Sequence, residues 1–382
     1  MDFAFSEREE LLRKAVREFS ESEITPKIEA MEEAGDFPTE LLGPMAKLGL
    51  TGIITPPEYG GVGLGYLART IALEETGRVC AAIPMAMQVH HMGCAVINDF
   101  GTEEQKKKYL PPLAQGATMG VVAVTDPSGG SDVVGIQTSA ERKGDKWVLK
   151  GRKCFITNSH CSDFWVVIAR TAPGAKGLTA FIVEKDFPGA KVGRKEHKVG
   201  LRGANTGELV FDNCEVPHGN ILGQEGGGLA VAMKTVSETG RPGMAATALG
   251  IVVACLEEAA KFATERVLYG KPISELQGIR FYMAELYAEL EICRLLCYKA
   301  SWMKDQKMRC DTEMALAKYY TCDAAARCAK KAIEIHGSYG ILKEYKVQRL
   351  LRDAMVTIPA GGTGEIAKVV MARAALSAYE KK

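Results

Sequence analysis

The sequence carries no excess of either charge: 48 Lys and Arg stand against 47 Asp and Glu in 382 residues. That balance leaves no basic footprint for nucleic acid and no acidic tail. Eleven cysteines are present, but none is arranged in C-x-x-C pairs. Cys154, Cys161 and Cys214 fall in strand-like segments, and Cys293, Cys297, Cys322 and Cys328 in helical ones. This scatter excludes a zinc or disulfide framework and predicts buried, reduced thiols in a reducing compartment. No apolar run reads as long enough to cross a membrane, and the opening MDFAFSEREE lacks the apolar stretch of a signal peptide. The expectation is a cytoplasmic chain with no membrane or nucleic-acid partner. There is no internal repeat and no low-complexity segment.

What is there is helix, then strand, then helix, an α+β multidomain pattern. Ser6 followed by Glu9 is a capping box, and Leu11, Leu12, Val16 and Phe19 recur behind it at helical spacing. Further helices are expected from Leu41, over 67–78 and 83–100, and after the cap at 101–105. The Pro- and Gly-rich stretch 51–63 is a loop. This helical domain is bounded at 1–119. Over 120–228 short apolar strands alternate with Gly, Pro and Asn turns, with strands expected at 147–149, 155–156, 166–168, 178–183 and 208–211. Over 229–382 long amphipathic helices are expected at 229–236, 244–266, 277–305, 312–336 and 366–378, which argues a bundle.

Residues 121–135, VVAVTDPSGGSDVVG, begin as a β-branched strand and break into a Pro- and Gly-rich turn. Pro127 fixes φ and the glycines permit φ > 0, so the backbone can approach a ligand closely. Alone, the stretch is better explained as an ordinary turn. A second stretch, GRKCFITNS at 151–159, alters that balance. Together they resemble the flavin-binding segments of the acyl-CoA dehydrogenase family, T-E-P-x-A-G-S-D and G-x-K-x-W-I-T-N. Here Asp126 replaces the usual Glu and Phe155 the usual Trp. RVLYGKPI at 266–273 with Gln277 resembles the family's R-x-x-F-G-x-P-I-x-x-x-Q, and HGSYG at 336–340 its H-G-G-x-G turn. The resemblance implies an N-terminal helical domain, a β-barrel-like middle domain and a C-terminal four-helix bundle. It also implies a homotetramer, a dimer of dimers, that binds FAD and an acyl-CoA and passes electrons to an electron-transferring flavoprotein.

The same resemblance assigns residues. Val124, Thr125, Phe155, Ile156 and Thr157 would contact the flavin ring. Ser131 would touch flavin phosphate or the CoA arm. Arg266, Gln277, Gly337, Gly340, Thr363 and Glu365 would complete the FAD site, with Arg266 and Gln277 reaching across a subunit interface. The family removes the substrate's α-proton with a base while the β-hydrogen leaves as hydride to the flavin, and hydrogen bonds to the thioester carbonyl stabilise the enolate.

The usual base is a Glu before G-T. The matching segment here, IPAGGTGEI, has Gly361 in its place. Gly361 keeps the backbone N–H that in the family donates to the thioester, so the carbonyl clamp is expected to survive without the base. The family's alternative position for the Glu, just before Arg241, is Gly240. Arg241 is expected to face the substrate. A relocated base is then sought in Glu238, His90 or His91, with His91 preferred because Met87, His91 and Cys94 share a helix face. The activity implied is an FAD-dependent acyl-CoA dehydrogenase with a displaced base, on a branched, cyclic or aryl acyl group. Alternatives are a redox-neutral β-elimination, as in 3-sulfinopropionyl-CoA desulfinases, or reduction of a 2-enoyl-CoA. Residues 81–93 supply no arginine for a sulfinate, which counts against the desulfinase.

Overall fold

The computed structural model describes residues 4–377 and 379. Met1, Asp2 and Phe3, and Ala378 at the end of the last expected helix, lie outside the described residues. So do the outermost residues of the first and last expected domains.

The first part of the chain is helical: α1 (Glu7–Phe19), α2 (Ile28–Ala34), α3 (Leu42–Lys47), α4 (Gly65–Val79), α5 (Ala82–Phe100) and α6 (Glu103–Ala114). The two expected caps form, Ser6 with Glu9 on α1 and Thr102 with Gln105 on α6. Each hydroxyl takes a free N–H of the first turn while the carboxylate or amide returns to the cap. α4 and α5 are buried almost along their whole length, because α5 lies between the sheet and the C-terminal helices and α4 between α1 and those helices.

The middle of the chain is one sheet: β1 (Gly120–Ala123), β2 (Ser139–Lys143), β3 (Lys146–Thr157), β4 (Phe164–Arg170), β5 (Leu178–Glu184), β6 (Ala190–Lys195), β7 (Thr206–Pro217) and β8 (Ile221–Leu222). The order is β6-β7-β3-β2-β4-β5-β8, with β1 added in parallel to β4. In β4 and β5 the two faces pack into different cores. Trp165, Val167, Phe181 and Val183 meet Trp147, Leu149 and Phe211 across the interior. Phe164, Val166, Ile168 and Ile182 meet Ile97, Leu110, Leu113 and Val231 of the flanking helices. A strand buried on both faces reads as a continuous apolar run, as these two do. The strands thus enclose a barrel-like interior, although β6 and β8 end the order and no pairing closes it. The segments expected as two strands, 147–149 and 155–156, are one twelve-residue strand, β3. Its Gly-Arg-Lys centre looks like a turn, but Lys153 is buried inside the sheet.

The chain then returns to helix: α7 (Gly228–Thr235), α8 (Arg241–Glu265), α9 (Gln277–Asp305), α10 (Asp311–His336), α11 (Val347–Thr357) and α12 (Gly364–Ser377). A small hairpin of β9 (Val267–Leu268) and β10 (Lys271–Pro272) joins α8 to α9. α8, α9, α10 and α11 form the bundle, and α4 packs against α8 from outside it. α7 and α8 are continuous through a π-helical turn, Val236–Gly240. The run Gly228–Glu265 is long and apolar enough to span a membrane by composition, against the expectation from sequence. However, 78% of its apolar window is buried within the protein, so it serves as the core helix of the bundle. All eleven cysteines are free thiols, and all but half-buried Cys161 are buried.

Candidate active site

The first two motifs meet where β1 ends beside β3. β3 slips register against β7 between Lys153 and Ile156, and at that bulge Phe155 adopts φ +56°. A bulge re-aims one side chain without ending the strand. Here it turns Phe155 outward, 67% exposed, while Ile156 and Thr157 stay buried. Asn158 locks the end of the strand, its N–H donating to Asn205 O (2.8 Å) and its Nδ2 to Ala86 O on α5 (2.8 Å).

Val124 and Thr125 lie half-buried alongside. Thr125 O accepts from Cys154 N–H at 3.0 Å, and Lys153 Nζ donates to Val124 O at 2.7 Å. Lys153 also pairs with Asp126, and both side chains are shut off from solvent. Asp126 accepts from the N–H groups of Gln137 (2.7 Å) and Thr138 (2.6 Å) and from the Thr138 hydroxyl (3.0 Å). This folds the 127–136 loop, with exposed Ser131, back over the strand end. A Cβ at Gly130 would stand 3.0 Å from Thr125 Oγ1, so the loop approaches that hydroxyl only as glycine. The roles of Lys153 and Asp126 were not read from the sequence. The lysine that GRKCFITNS shares with the family pattern G-x-K-x-W-I-T-N was the available signal.

The third and fourth motifs form a separate cluster on the bundle. Arg266 ends α8 with its guanidinium 5.4 Å over the Tyr339 ring, and no ion pair to Arg266 is found among the described residues. Gln277 opens α9 and is exposed. Gly337 turns the chain after α10 at φ +59°, and His336 stacks on Phe262 at 4.2 Å. Gly340 is pressed against Ile333 O, which a Cβ would approach to 2.8 Å. Half-buried Val124 and Thr125, outward Phe155 and an uncompensated Arg266 fit a cofactor with an apolar ring and an anionic tail.

Gly361 follows the C-terminus of α11. Lys318 Nζ, buried, donates to Ile358 O at 2.5 Å and fixes the start of the loop. Thr363 Oγ1 accepts from Ile366 N–H (3.4 Å) and caps α12. Glu365 is exposed, held below the usual carboxylate range by its own backbone N–H and by Lys368. Gly361 has φ +68°, and its N–H meets no acceptor among the described residues. A Cβ built there would lie 3.4 Å from Met244 Cβ and 3.8 Å from Gly240 O. At Gly240 a Cβ would instead meet Met92 Sδ and Cε at 3.3 Å. The two positions at which the family's base is expected are therefore neighbours, and neither bears a side chain. Arg241 is buried beside them, its pKa pushed down by burial against the opposing charge of Asp311.

The relocated bases are engaged elsewhere. His91 is enclosed: its Nδ1 accepts from Arg69 Nε (3.1 Å), so Nε2 carries the proton and donates to Leu50 O (2.8 Å). Burial, with the Arg69 charge adding, pushes its pKa well down. Both nitrogens are occupied, which corrects the expectation of a base at His91. His90 is buried too, its Nε2 3.1 Å from Thr51 O and its Nδ1 without a partner among the described residues, and its pKa is pushed down to about 4 by burial. The two rings tie the start of the 51–63 loop to α5. The π turn at 236–240 is the irregularity that could have brought Glu238 inward, but Glu238 pairs with Lys304.

The N-terminal, middle and C-terminal domain profiles of acyl-CoA dehydrogenase match residues 6–117, 121–214 and 226–376. This chain belongs to the acyl-CoA dehydrogenase family. It is 44% identical to an acyl-CoA dehydrogenase of Bacillus subtilis (strain 168), covering 95% of this chain and 96% of that one. It is 38% identical to the caffeyl-CoA reductase-Etf complex subunit CarC of Acetobacterium woodii, covering 96% and 98%. The structure of butyryl-CoA dehydrogenase from Megasphaera elsdenii superposes with a TM-score of 0.95 at 37% identity, covering 98% and 100%. The protein is an FAD-dependent oxidoreductase acting at the α,β-carbons of acyl-CoA thioesters.

Asp126→Ala strands a buried ammonium, and breaking such a pair costs about 3–5 kcal/mol. Urea unfolding of Asp126→Ala is expected to show that loss together with loss of flavin absorbance, and Asp126→Glu to retain both. A stable, flavin-loaded Asp126→Ala would remove the pair from this role.

The histidines give a pH test. Each has a folded pKa below its ordinary 6.5, so the unfolded state binds protons first as pH falls. Each therefore removes stability below pH 6.5, by up to about 1.4 kcal/mol per unit. Asp353, pushed up to about 6 by burial, opposes one of them between pH 6 and its ordinary 3.8. His91→Gln should flatten the wild-type loss of stability between pH 6.5 and 5 by about 1.4 kcal/mol per unit. An unchanged slope would return His91 to the list of bases.

Proposed function

We propose that this enzyme works as a 2-enoyl-CoA reductase. The observation that carries this reading is the pair of facing glycines, Gly361 and Gly240, with both nitrogens of His91, Nε2 of His90 and the Glu238 carboxylate engaged by other groups. Taking an α-proton from a saturated thioester needs a positioned base of matched pKa. Reduction enters from the other side. Hydride adds to the electron-poor β-carbon, and the resulting enolate is basic enough to take its proton from water. Loss of the base leaves the reductive route open while obstructing the start of the oxidative one. The resemblance to CarC supports this direction.

A bound FAD would supply the hydride that the substrate's β-carbon takes up. The chain's own parts do the rest. Gly361 N–H, unpartnered within the chain, donates to the thioester carbonyl where enolate charge develops. Val124, Thr125, Ile156 and Thr157 hold the ring, with Phe155 at its edge. Ser131, Thr363 and Glu365 line its approaches, and Arg241 flanks the substrate. Arg266 and Gln277, with the turn at Gly337 and Gly340, bind the pyrophosphate of a neighbouring subunit. That assignment requires at least two copies in the active form, which the homotetramer implied by the family resemblance would supply. The hairpin supports it: Val267 and Leu268 are exposed and Tyr269 is 91% exposed beside Arg266, an apolar surface suited to a second copy. Electrons arrive from an electron-transferring flavoprotein, as the name of CarC suggests for that relative. The cytoplasmic placement is supported by the eleven free cysteines.

The test is anaerobic flavin spectroscopy. Dithionite-reduced enzyme should be reoxidised by a 2-enoyl-CoA, and oxidised enzyme should bleach at least tenfold more slowly with the saturated partner. Gly361→Glu should speed that bleaching at least tenfold, since a Cβ there meets Met244 at ordinary contact distance and the φ of +68° strains a side chain by only about 1–2 kcal/mol. Rapid bleaching of the wild type by a saturated acyl-CoA would overturn the reading. If no enoyl-CoA reoxidises the flavin but a β-substituted thioester is consumed, redox-neutral elimination takes its place.

A further inference from the structure

Arg69 lies on α4 with no solvent exposure. Its Nε is used by His91, but neither terminal nitrogen meets an acceptor among the described residues. Among the described residues no carboxylate pairs with it, and the Tyr66 ring centroid lies 5.8 Å from its Cζ. Burial pushes its pKa down to about 10, so it remains charged at neutral pH. Buried charges are ordinarily paired, because an unpaired one is among the costliest groups a protein can enclose. Of the other buried arginines, Arg78 and Arg349 each bond a carboxylate or a carbonyl through a terminal nitrogen, while Arg241, beside Gly361, shows no such bond among the described residues.

The location indicates what the missing acceptor is. Gln88 Oε1 is also buried without a partner. A Cβ at Gly243 would come within 2.4 Å of Arg69 Nη2 and 2.9 Å of Gln88 Oε1, so guanidinium and amide converge on that glycine. Gly240, Gly243 and Met244 share the first turn of α8 and one helix face. Gly240 and Met244 are the residues that a side chain at Gly361 would touch. The unpaired fork therefore sits within a helical turn of the thioester position. A flipped Gln88 amide would present its two N–H donors at the same place.

We infer that Arg69, with Gln88, is the recognition site for a terminal oxyanion, a carboxylate or a sulfinate, on the acyl chain of the substrate. This rests on the thioester lying at Gly361. A planar guanidinium with two free N–H edges matches a two-oxygen anion in a bidentate fork. An uncharged acyl chain would leave the charge uncompensated. The arginine that residues 81–93 do not provide is thus supplied by the preceding helix.

The test is equilibrium titration of the FAD-loaded protein, read as flavin absorbance perturbation, with saturated CoA thioesters in matched pairs. Butyryl-CoA is set against succinyl-CoA, valeryl-CoA against glutaryl-CoA, and hexanoyl-CoA against adipyl-CoA, with 3-sulfinopropionyl-CoA as a separate arm. At one chain length the anionic thioester should bind at least tenfold tighter than its neutral partner. In Arg69→Met that ratio should collapse to within threefold of one. Arg69→Lys, which keeps charge but loses the fork, should reduce it at least threefold. A sulfinate that outbinds every carboxylate would support the site and name its ligand. Neutral thioesters binding as well as anionic ones in the wild type, or a preference that survives Arg69→Met, would overturn this inference alone. Absence of any perturbation by any thioester would overturn both it and the reductase reading.

Discussion

The ion pair between Lys153 and Asp126 is the constraint on which the flavin side of the site depends. Both side chains are shut off from water, so neither charge is tolerable without the other. Lys153 reaches from the middle of β3 to the end of β1, and Asp126 gathers the backbone of the loop that follows. One buried contact thereby sets the spacing between Val124 and Thr125 on one side and the bulge at Phe155 on the other. Asn158 extends the same fixing to α5 through Ala86 O, so the sheet is keyed to the helix that carries the two histidines. Asp353 ties the third layer in, accepting from Leu201 N–H at 2.6 Å while Arg352 reaches Val199 O and Glu32.

On that rigid frame the chemistry is set by what the loop after α11 omits. Lys318 holds Ile358 O, Thr363 caps α12, and Gly361 between them presents a bare N–H toward the first turn of α8. On the proposed reading this N–H is the clamp for a developing enolate, without the carboxylate that would create one from a saturated substrate. Burial explains why the nearby histidines do not compensate. In this environment an imidazole stays neutral, and the bonds to Arg69 and Leu50 O occupy both of its nitrogens. Arg69 is the residue whose charge this arrangement leaves open, and it faces the same turn of α8.

Much of this was legible in the residues. The apolar runs at 166–168 and 178–183 marked strands, and the structure buries both faces of each. The caps at Ser6 and Thr102 marked α1 and α6, and the motifs at 124–131, 155–157 and 266–277 marked the family. Other features were not legible for physical reasons. Gly151-Arg152-Lys153 has the composition of a turn, and only a carboxylate from a distant strand end allows Lys153 to lie inside a sheet. Helical spacing placed His91 on a face with Met87 and Cys94 but could not show that Arg69 and Leu50 O close on it. Arg69 itself reads as one charged residue in an amphipathic helix, and its lack of an acceptor is visible only once α5 and α8 are packed around it. α11 was hidden inside a motif read for its chemistry.

The central claim is that no group in this site removes the α-proton of a saturated acyl-CoA. Deuterium exchange tests it directly. The FAD-loaded enzyme is incubated with a saturated acyl-CoA in D₂O, and label at the α-carbon is followed by mass spectrometry. The account predicts no enzyme-dependent incorporation in the wild type, and incorporation in Gly361→Glu. Exchange by the wild-type enzyme at the rate of its turnover would show that a base is present and contradict the account.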